Sequence, residues 1–178
     1  TTPVVLMGYA NPVVVMGFAQ FAKAAEQAGI DGLLTVDLPP EEATELNAEL
    51  KQVKIDTIYL VAPTTTPARA AKICAAATGY IYYVSLKGVT GAGHLNVAEV
   101  KSKVDDLRAL TKLPICVGFG IKDAESATHI AAVSDGVVIG SALVTAINDS
   151  YSKDDSGDIS APARALLSDI RLALDSQG

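Results

Sequence analysis

Short apolar runs and longer stretches of three-and-four spacing alternate along this chain, and that alternation predicts a strand-helix rhythm repeated about six times. Pro3–Tyr9 is an apolar run closed by Gly8. Asn11 and Pro12 follow as N-cap and first helical residue of a helix carrying Phe18, Phe21, Ala22, Ala25 and Ala28, which Gly29 ends. Leu33–Val36 reads as a buried strand broken by Asp37-Leu38-Pro39-Pro40. Glu41 and Glu42 then stand against the positive end of a helix whose stripe is Ala43, Leu46 and Leu50.

The rhythm returns in the second half. Thr57–Ala62 is a strand, and Thr66-Pro67 opens a helix with Ala70, Ile73 and Ala77 on one face and Gly79 as its stop. Ile81–Val84 is β-branched or aromatic throughout, reads as a strand, and passes through Ser85 into a loop holding Gly88, Gly91 and Gly93. Val97, Val100, Val104 and Leu107 repeat at helical spacing until Pro114. Next come a strand at Ile115–Gly118, a helix at Asp123–Ala132 facing in through Ala124, Ala127 and Ala131, and a strand at Gly136–Ile139. Gly140-Ser141 opens a short helix over Ala142–Ile147. The polar run Ser150–Gly157 is a surface loop, and Ser160 with Pro162 starts a last helix striped by Leu166, Ile170 and Leu174.

Strict alternation implies a parallel sheet with helices outside it. An open doubly wound sheet lacks its Gly-x-Gly-x-x-Gly signature after the first strand. A (β/α)₈ TIM barrel fits better, with this chain supplying about six of its units in one domain over residues 1–178. Barrels of this type hold phosphate between the loops after their last two strands and the start of a short extra helix. Gly118-Phe119-Gly120 and Gly140-Ser141 occupy those places, where backbone N–H groups can bind phosphate without a lysine.

Composition narrows the partners. The 178 residues are 49% hydrophobic and 19% charged, which suits a globular domain. A net charge of −6 argues against nucleic acid or an anionic membrane surface. Apolar runs stop well short of a membrane span, so a soluble protein is expected. Cys74, Cys116, His94 and His129 lie apart in sequence, with neither metal-ligand spacing nor a disulfide framework, which fits a reducing cytoplasm.

Four segments carry a specific resemblance: Leu6-Met7-Gly8-Tyr9-Ala10-Asn11-Pro12, Val36-Asp37-Leu38-Pro39, Ser85 through Gly93, and Gly118-Phe119-Gly120. In order and spacing, over nearly the whole sequence, they resemble the tryptophan synthase α chain family. The resemblance implies a barrel that cleaves indole-3-glycerol phosphate to indole and glyceraldehyde 3-phosphate in tryptophan biosynthesis. It also implies a pyridoxal-phosphate-dependent β chain as partner in an α-β heterotetramer, with no cofactor in this chain. By matched motif, Gly91, Phe119, Gly120, Gly140 and Ser141 would surround the phosphate, and Tyr9, Leu34, Leu60, Tyr82 and Phe119 would wall the indole. Tyr82 and Thr90 would support catalysis, while Asn11 and Asp37 would face the β chain; without that role they read as a helix cap and a turn residue.

The family's two catalytic carboxylates, a glutamate and an aspartate, belong to strand-helix units ahead of the matched region. The chain is therefore expected to lack about two units at its N-terminal side, to expose strand edges and inner side chains, and to be inactive alone. Two other readings stand beside the lyase. One is a Schiff-base aldolase using Lys87; the other is a non-catalytic protein that binds phosphate or the β chain.

Overall fold

The computed structural model describes residues 2–85, 96–118, 120–151, 158 and 160–176. Among these residues, six strands run in the order β1-β2-β3-β4-β5-β6 as a parallel sheet, accompanied by eight helices. Sequential strand order in a parallel sheet is what βαβ units joined one after another produce, and it fits part of a (β/α)₈ barrel rather than a doubly wound sheet, whose strand order reverses. The chain divides into two compact units, Thr1–Tyr82 with Leu107–Pro114, and Tyr83–Asp106 with Ile115–Gly178.

The first unit contains β1 (Val5–Gly8), α1 (Ala10–Met16), α2 (Phe18–Gln27), β2 (Gly32–Thr35), α3 (Thr44–Gln52), β3 (Asp56–Val61) and α4 (Pro67–Ala76). Leu33 of β2 packs with Val13, Ala22, Ala25, Leu46, Leu50 and Ile55, so this face of the strand looks toward the helices. Strand residues alternate between faces. Leu34, paired with Met7 on one side and Ile58 on the other, therefore lies on the opposite face. There Gly32 leaves room for its neighbours: a Cβ at that position would stand 2.7 Å from Ile58 Cδ1 and 3.2 Å from Val5 Cγ2.

Three expectations change in this unit. The first helix begins at Ala10 with Tyr9 as N-cap, so Asn11 and Pro12 lie in its first turn and Asn11 is not the cap. It is also two helices, because Gly17 takes φ +85° between α1 and α2; such a conformation interrupts a right-handed helix and suits glycine. Glu41 and Glu42 do not stand at the start of α3. The Pro39-Pro40 turn, closed by the Glu42 N–H on the Pro39 carbonyl at 3.0 Å, delays that helix to Thr44, and Glu45 is its first-turn acid. Glu41 instead pairs with Arg69 at 2.5 Å, and the peptide N–H it accepts together with that guanidinium lowers its carboxyl pKa. The start of α4 follows the sequence reading, with Thr66 Oγ1 accepting the Arg69 N–H and Pro67 in the first turn. β1 is the sheet's edge, and its apolar residues are exposed, Met7 at 59%.

β4 (Ile81–Val84) spans the boundary between the units. The second unit goes on through α5 (Val97–Arg108), β5 (Ile115–Gly118), α6 (Ala124–Ala131), β6 (Gly136–Val138), α7 (Ser141–Tyr151) and α8 (Ala161–Asp175). Val100, Val104 and Leu107 are buried on α5 as their spacing predicts. Asp123 caps α6 rather than joining it: its carboxylate accepts the Ser126 N–H at 2.9 Å, and Ser126 Oγ accepts the Asp123 N–H at 3.2 Å. α7 is longer than expected and runs to Tyr151, since Asn148, Asp149 and Ser150 continue a helix none of whose residues is buried.

Candidate functional site

In the first unit the sheet's non-helix face carries Leu34, 1% exposed, and Leu60, two residues beyond Ile58 on β3. Tyr9 follows Met7 by two residues in extended backbone at φ −89° and ψ 155°, which places it on that same face just past the end of β1, 66% exposed. Tyr82 on β4 is half-buried. Its neighbour Tyr83 is buried, and burial and then the charge of Glu99 on α5 raise its phenol pKa. The strand register thus puts Tyr9, Leu34 and Leu60 on one face of the sheet.

Two residues beyond β2 hold the entry to α1. The Val36 N–H donates to the Gly8 carbonyl at 2.9 Å. Asp37 Oδ1 accepts the Ala10 N–H at 2.7 Å. Asp37 is therefore more than a turn residue: it satisfies one of the helix-start donors that α1 cannot pair internally. It also borders a cleft of about 260 Å³ lined by Thr35, Leu38, Tyr59, Leu60 and Arg69. The hydroxyl of Tyr59, one of the lining residues, accepts from Asn47 Nδ2 at 2.8 Å, and desolvation by burial pushes the Tyr59 phenol pKa up.

The second unit gathers the glycines. Gly120, at φ +79°, and Ser141, the first residue of α7, line one cleft of about 550 Å³ together with Lys122, Thr145 and Asp149. Gly140 precedes Ser141, and its carbonyl accepts the Leu143 N–H at 3.0 Å, which makes it the cap of α7. A Cβ built on Gly140 meets nothing within 4 Å. The first turn of α7 contains no acidic residue to offset the positive end of its dipole. Ser85, at the end of β4, donates both its N–H and its Oγ to the Gly118 carbonyl at 3.0 Å and is buried. Lys122 and Thr145 were not singled out by sequence; they enter the cleft only through the loop after β5 and one turn of α7. Lys87, Thr90, Gly91 and Phe119 lie outside the described residues.

No group of three or more His, Cys, Asp or Glu among the described residues could hold a metal ion, and no helix among them is long and apolar enough to cross a membrane. Burial raises the pKa of both thiols, Cys74 and Cys116.

The family model for the tryptophan synthase alpha chain matches residues 1–166. The chain belongs to the tryptophan synthase alpha chain family. A tryptophan synthase alpha chain from Chromobacterium violaceum is 59% identical over 147 residues, 83% of this chain and 56% of the relative. One from Thioalkalivibrio sulfidiphilus is 52% identical over 174 residues, 98% of this chain and 65% of the relative. The crystal structure of tryptophan synthase subunit alpha from Legionella pneumophila superposes with a TM-score of 0.85 at 41% identity, covering 98% of this chain and 63% of the other. The chain thus spans 56% to 65% of the length of these tryptophan synthase alpha chains.

Proposed function

We propose that this chain supplies the phosphate-binding and indole-binding parts of a lyase that cleaves indole-3-glycerol phosphate to indole and glyceraldehyde 3-phosphate. The observation that carries this reading is that Gly120 and Ser141 line one cleft at the start of α7, in a chain of the tryptophan synthase alpha chain family. Backbone N–H groups at Gly120, Gly140 and Ser141 hold the phosphate, with Gly91 and Phe119 completing the shell. Tyr9, Leu34, Leu60, Tyr82 and Phe119 wall the indole.

The reaction is a retro-aldol cleavage. Indole C3 takes a proton, a proton leaves the glycerol hydroxyl next to the bond, and the carbon–carbon bond breaks so that indole departs and the hydroxyl carbon becomes the aldehyde. The glutamate and aspartate assigned to those proton transfers have no match in this chain, so its own residues bind, orient and exclude water, with Tyr82 and Thr90 in support. Lys87 as a Schiff-base nucleophile and a purely binding role are the competing readings. A β chain holding pyridoxal phosphate, which receives the indole in a cytoplasmic heterotetramer, is the partner, with Asn11 and Asp37 facing it. The chain itself carries no cofactor and supplies about six strand-helix units of one barrel domain over residues 1–178.

The test is indole release from indole-3-glycerol phosphate by the purified chain, alone and with the unmatched N-terminal segment of the Chromobacterium relative added as a fragment. Negligible release alone and clear release with the fragment are expected. Family-level turnover from the chain alone would show that its own residues perform the proton transfers. Borohydride trapping of a carbonyl substrate on Lys87 would instead favour the aldolase.

A further inference from the structure

The peptide groups on either side of Tyr9 are both held by the end of β2: the Gly8 carbonyl by the Val36 N–H at 2.9 Å, and the Ala10 N–H by Asp37 Oδ1 at 2.7 Å. The orientations of those two peptide planes set φ and ψ of Tyr9, and so the direction in which its side chain leaves the backbone. One of the two bonds is main chain to main chain and available to almost any residue at position 36. The other needs a side-chain acceptor of the right length at position 37. The Tyr9 ring is exposed, and α1 receives no side-chain cap from its own N-cap residue.

We propose that Asp37 is the positioning residue for Tyr9, fixing the tyrosine as one wall of the indole subsite through the Ala10 N–H. The inference rests on the proposed indole-binding reading and deepens it by assigning a structural task to a residue expected only to face a partner. The required chemistry is an oxygen acceptor, not a negative charge. An asparagine at position 37 can keep the bond and an alanine cannot. Charge-assisted bonds are the stronger, so asparagine restores most of the effect and not all of it.

The experiment uses the 178-residue chain, which contains no tryptophan, so the emission of added indole is read without background from that residue. Wild type, Asp37→Ala and Asp37→Asn are compared by indole binding, by inorganic phosphate binding, and by amide hydrogen exchange at Ala10, with far-UV circular dichroism to confirm folding. In Asp37→Ala, Ala10 exchange should accelerate and indole binding weaken by about fivefold, the net size of one hydrogen bond, while phosphate binding in the second unit stays unchanged. Asp37→Asn should return both readouts most of the way to wild type. Indole binding that is equal in wild type and Asp37→Ala, with Ala10 exchange accelerated, overturns the positioning role alone. A loss in Asp37→Asn as large as in Asp37→Ala also overturns it, because charge rather than the bond would then be at work. If the wild-type chain binds phosphate but no indole, the indole-site reading itself falls and the role of Asp37 falls with it.

Discussion

The Asp135 carboxylate accepts the Ile115 N–H at 2.9 Å, and the Asp135 N–H donates to the Ile115 carbonyl at 3.0 Å. Asp31 makes the same pair of bonds with Val4, at 2.8 Å and 2.9 Å. Each aspartate immediately precedes a strand and clamps the start of the strand before it, and each is followed by a glycine that a neighbouring side chain approaches closely. Burial separates the two cases: Ile115 is 0% exposed and Val4 is 47%. Asp135→Ala should therefore cost about 1–2 kcal/mol, with water poorly placed to replace the acceptor, and Asp31→Ala less than about 1 kcal/mol. Urea denaturation of both variants checks this, and equal losses would mean that burial of the donor's residue does not set the cost.

Gly136 is the second half of that clamp. A Cβ there would stand 2.9 Å from Cys116 Sγ. Gly136→Ala is expected to destabilise by about 1–3 kcal/mol through overpacking, and Cys116→Ala to make room, so that the double variant loses less than the sum of the singles. Additive losses in denaturant titrations would show that the contact is relieved by backbone movement instead.

Gly140 offers a cleaner test of the proposed phosphate site than Gly120. A side chain at Gly120 would be strained at φ +79°, whereas a Cβ on Gly140 enters open space. Gly140→Val should leave the thermal midpoint within a few degrees of wild type while weakening phosphate binding at least tenfold, since the new methyls stand before the first turn of α7. Lys122→Ala should weaken it much less. Calorimetric titration with inorganic phosphate separates the two, and a larger loss from Lys122→Ala would replace backbone recognition by charge attraction.

Asp158 governs an acid-sensitive feature at the start of α8. The Arg164 guanidinium, then the Ser160 hydroxyl and N–H, hold its carboxyl at about 2 against an ordinary 3.8. A folded-state pKa below the unfolded one means that the stabilisation is fully present above pH 4 or so and disappears as pH falls toward 2. The wild-type chain should therefore lose its stability advantage over Asp158→Asn across that window. A difference between the two that holds constant from pH 5 to pH 2 would show that the carboxylate is not linked to folding.

Periodicity alone determined the strand-helix alternation, the buried stripes Val100-Val104-Leu107 and Ala43-Leu46-Leu50, and the Thr66-Pro67 helix start, because each depends on contacts or caps within a few residues. That Gly120 and Ser141 would share a cleft followed from sequence order, because successive parallel strands place their following loops at one end of a sheet. What tertiary structure decided was everything that one strand-helix unit does to the next. Gly17 splits a helix whose apolar spacing continues through it, since the stripe records burial and not φ. Glu41 leaves the helix start for Arg69 of α4, and Asp37 caps a helix from the following unit, because an acceptor bonds whichever donor the fold brings within reach. The Asp-Gly pairs at 31–32 and 135–136 are silent in a hydrophobic pattern. Their work appears only when the preceding strand lies alongside and presents its free N–H group to the carboxylate and its side chain to the bare glycine.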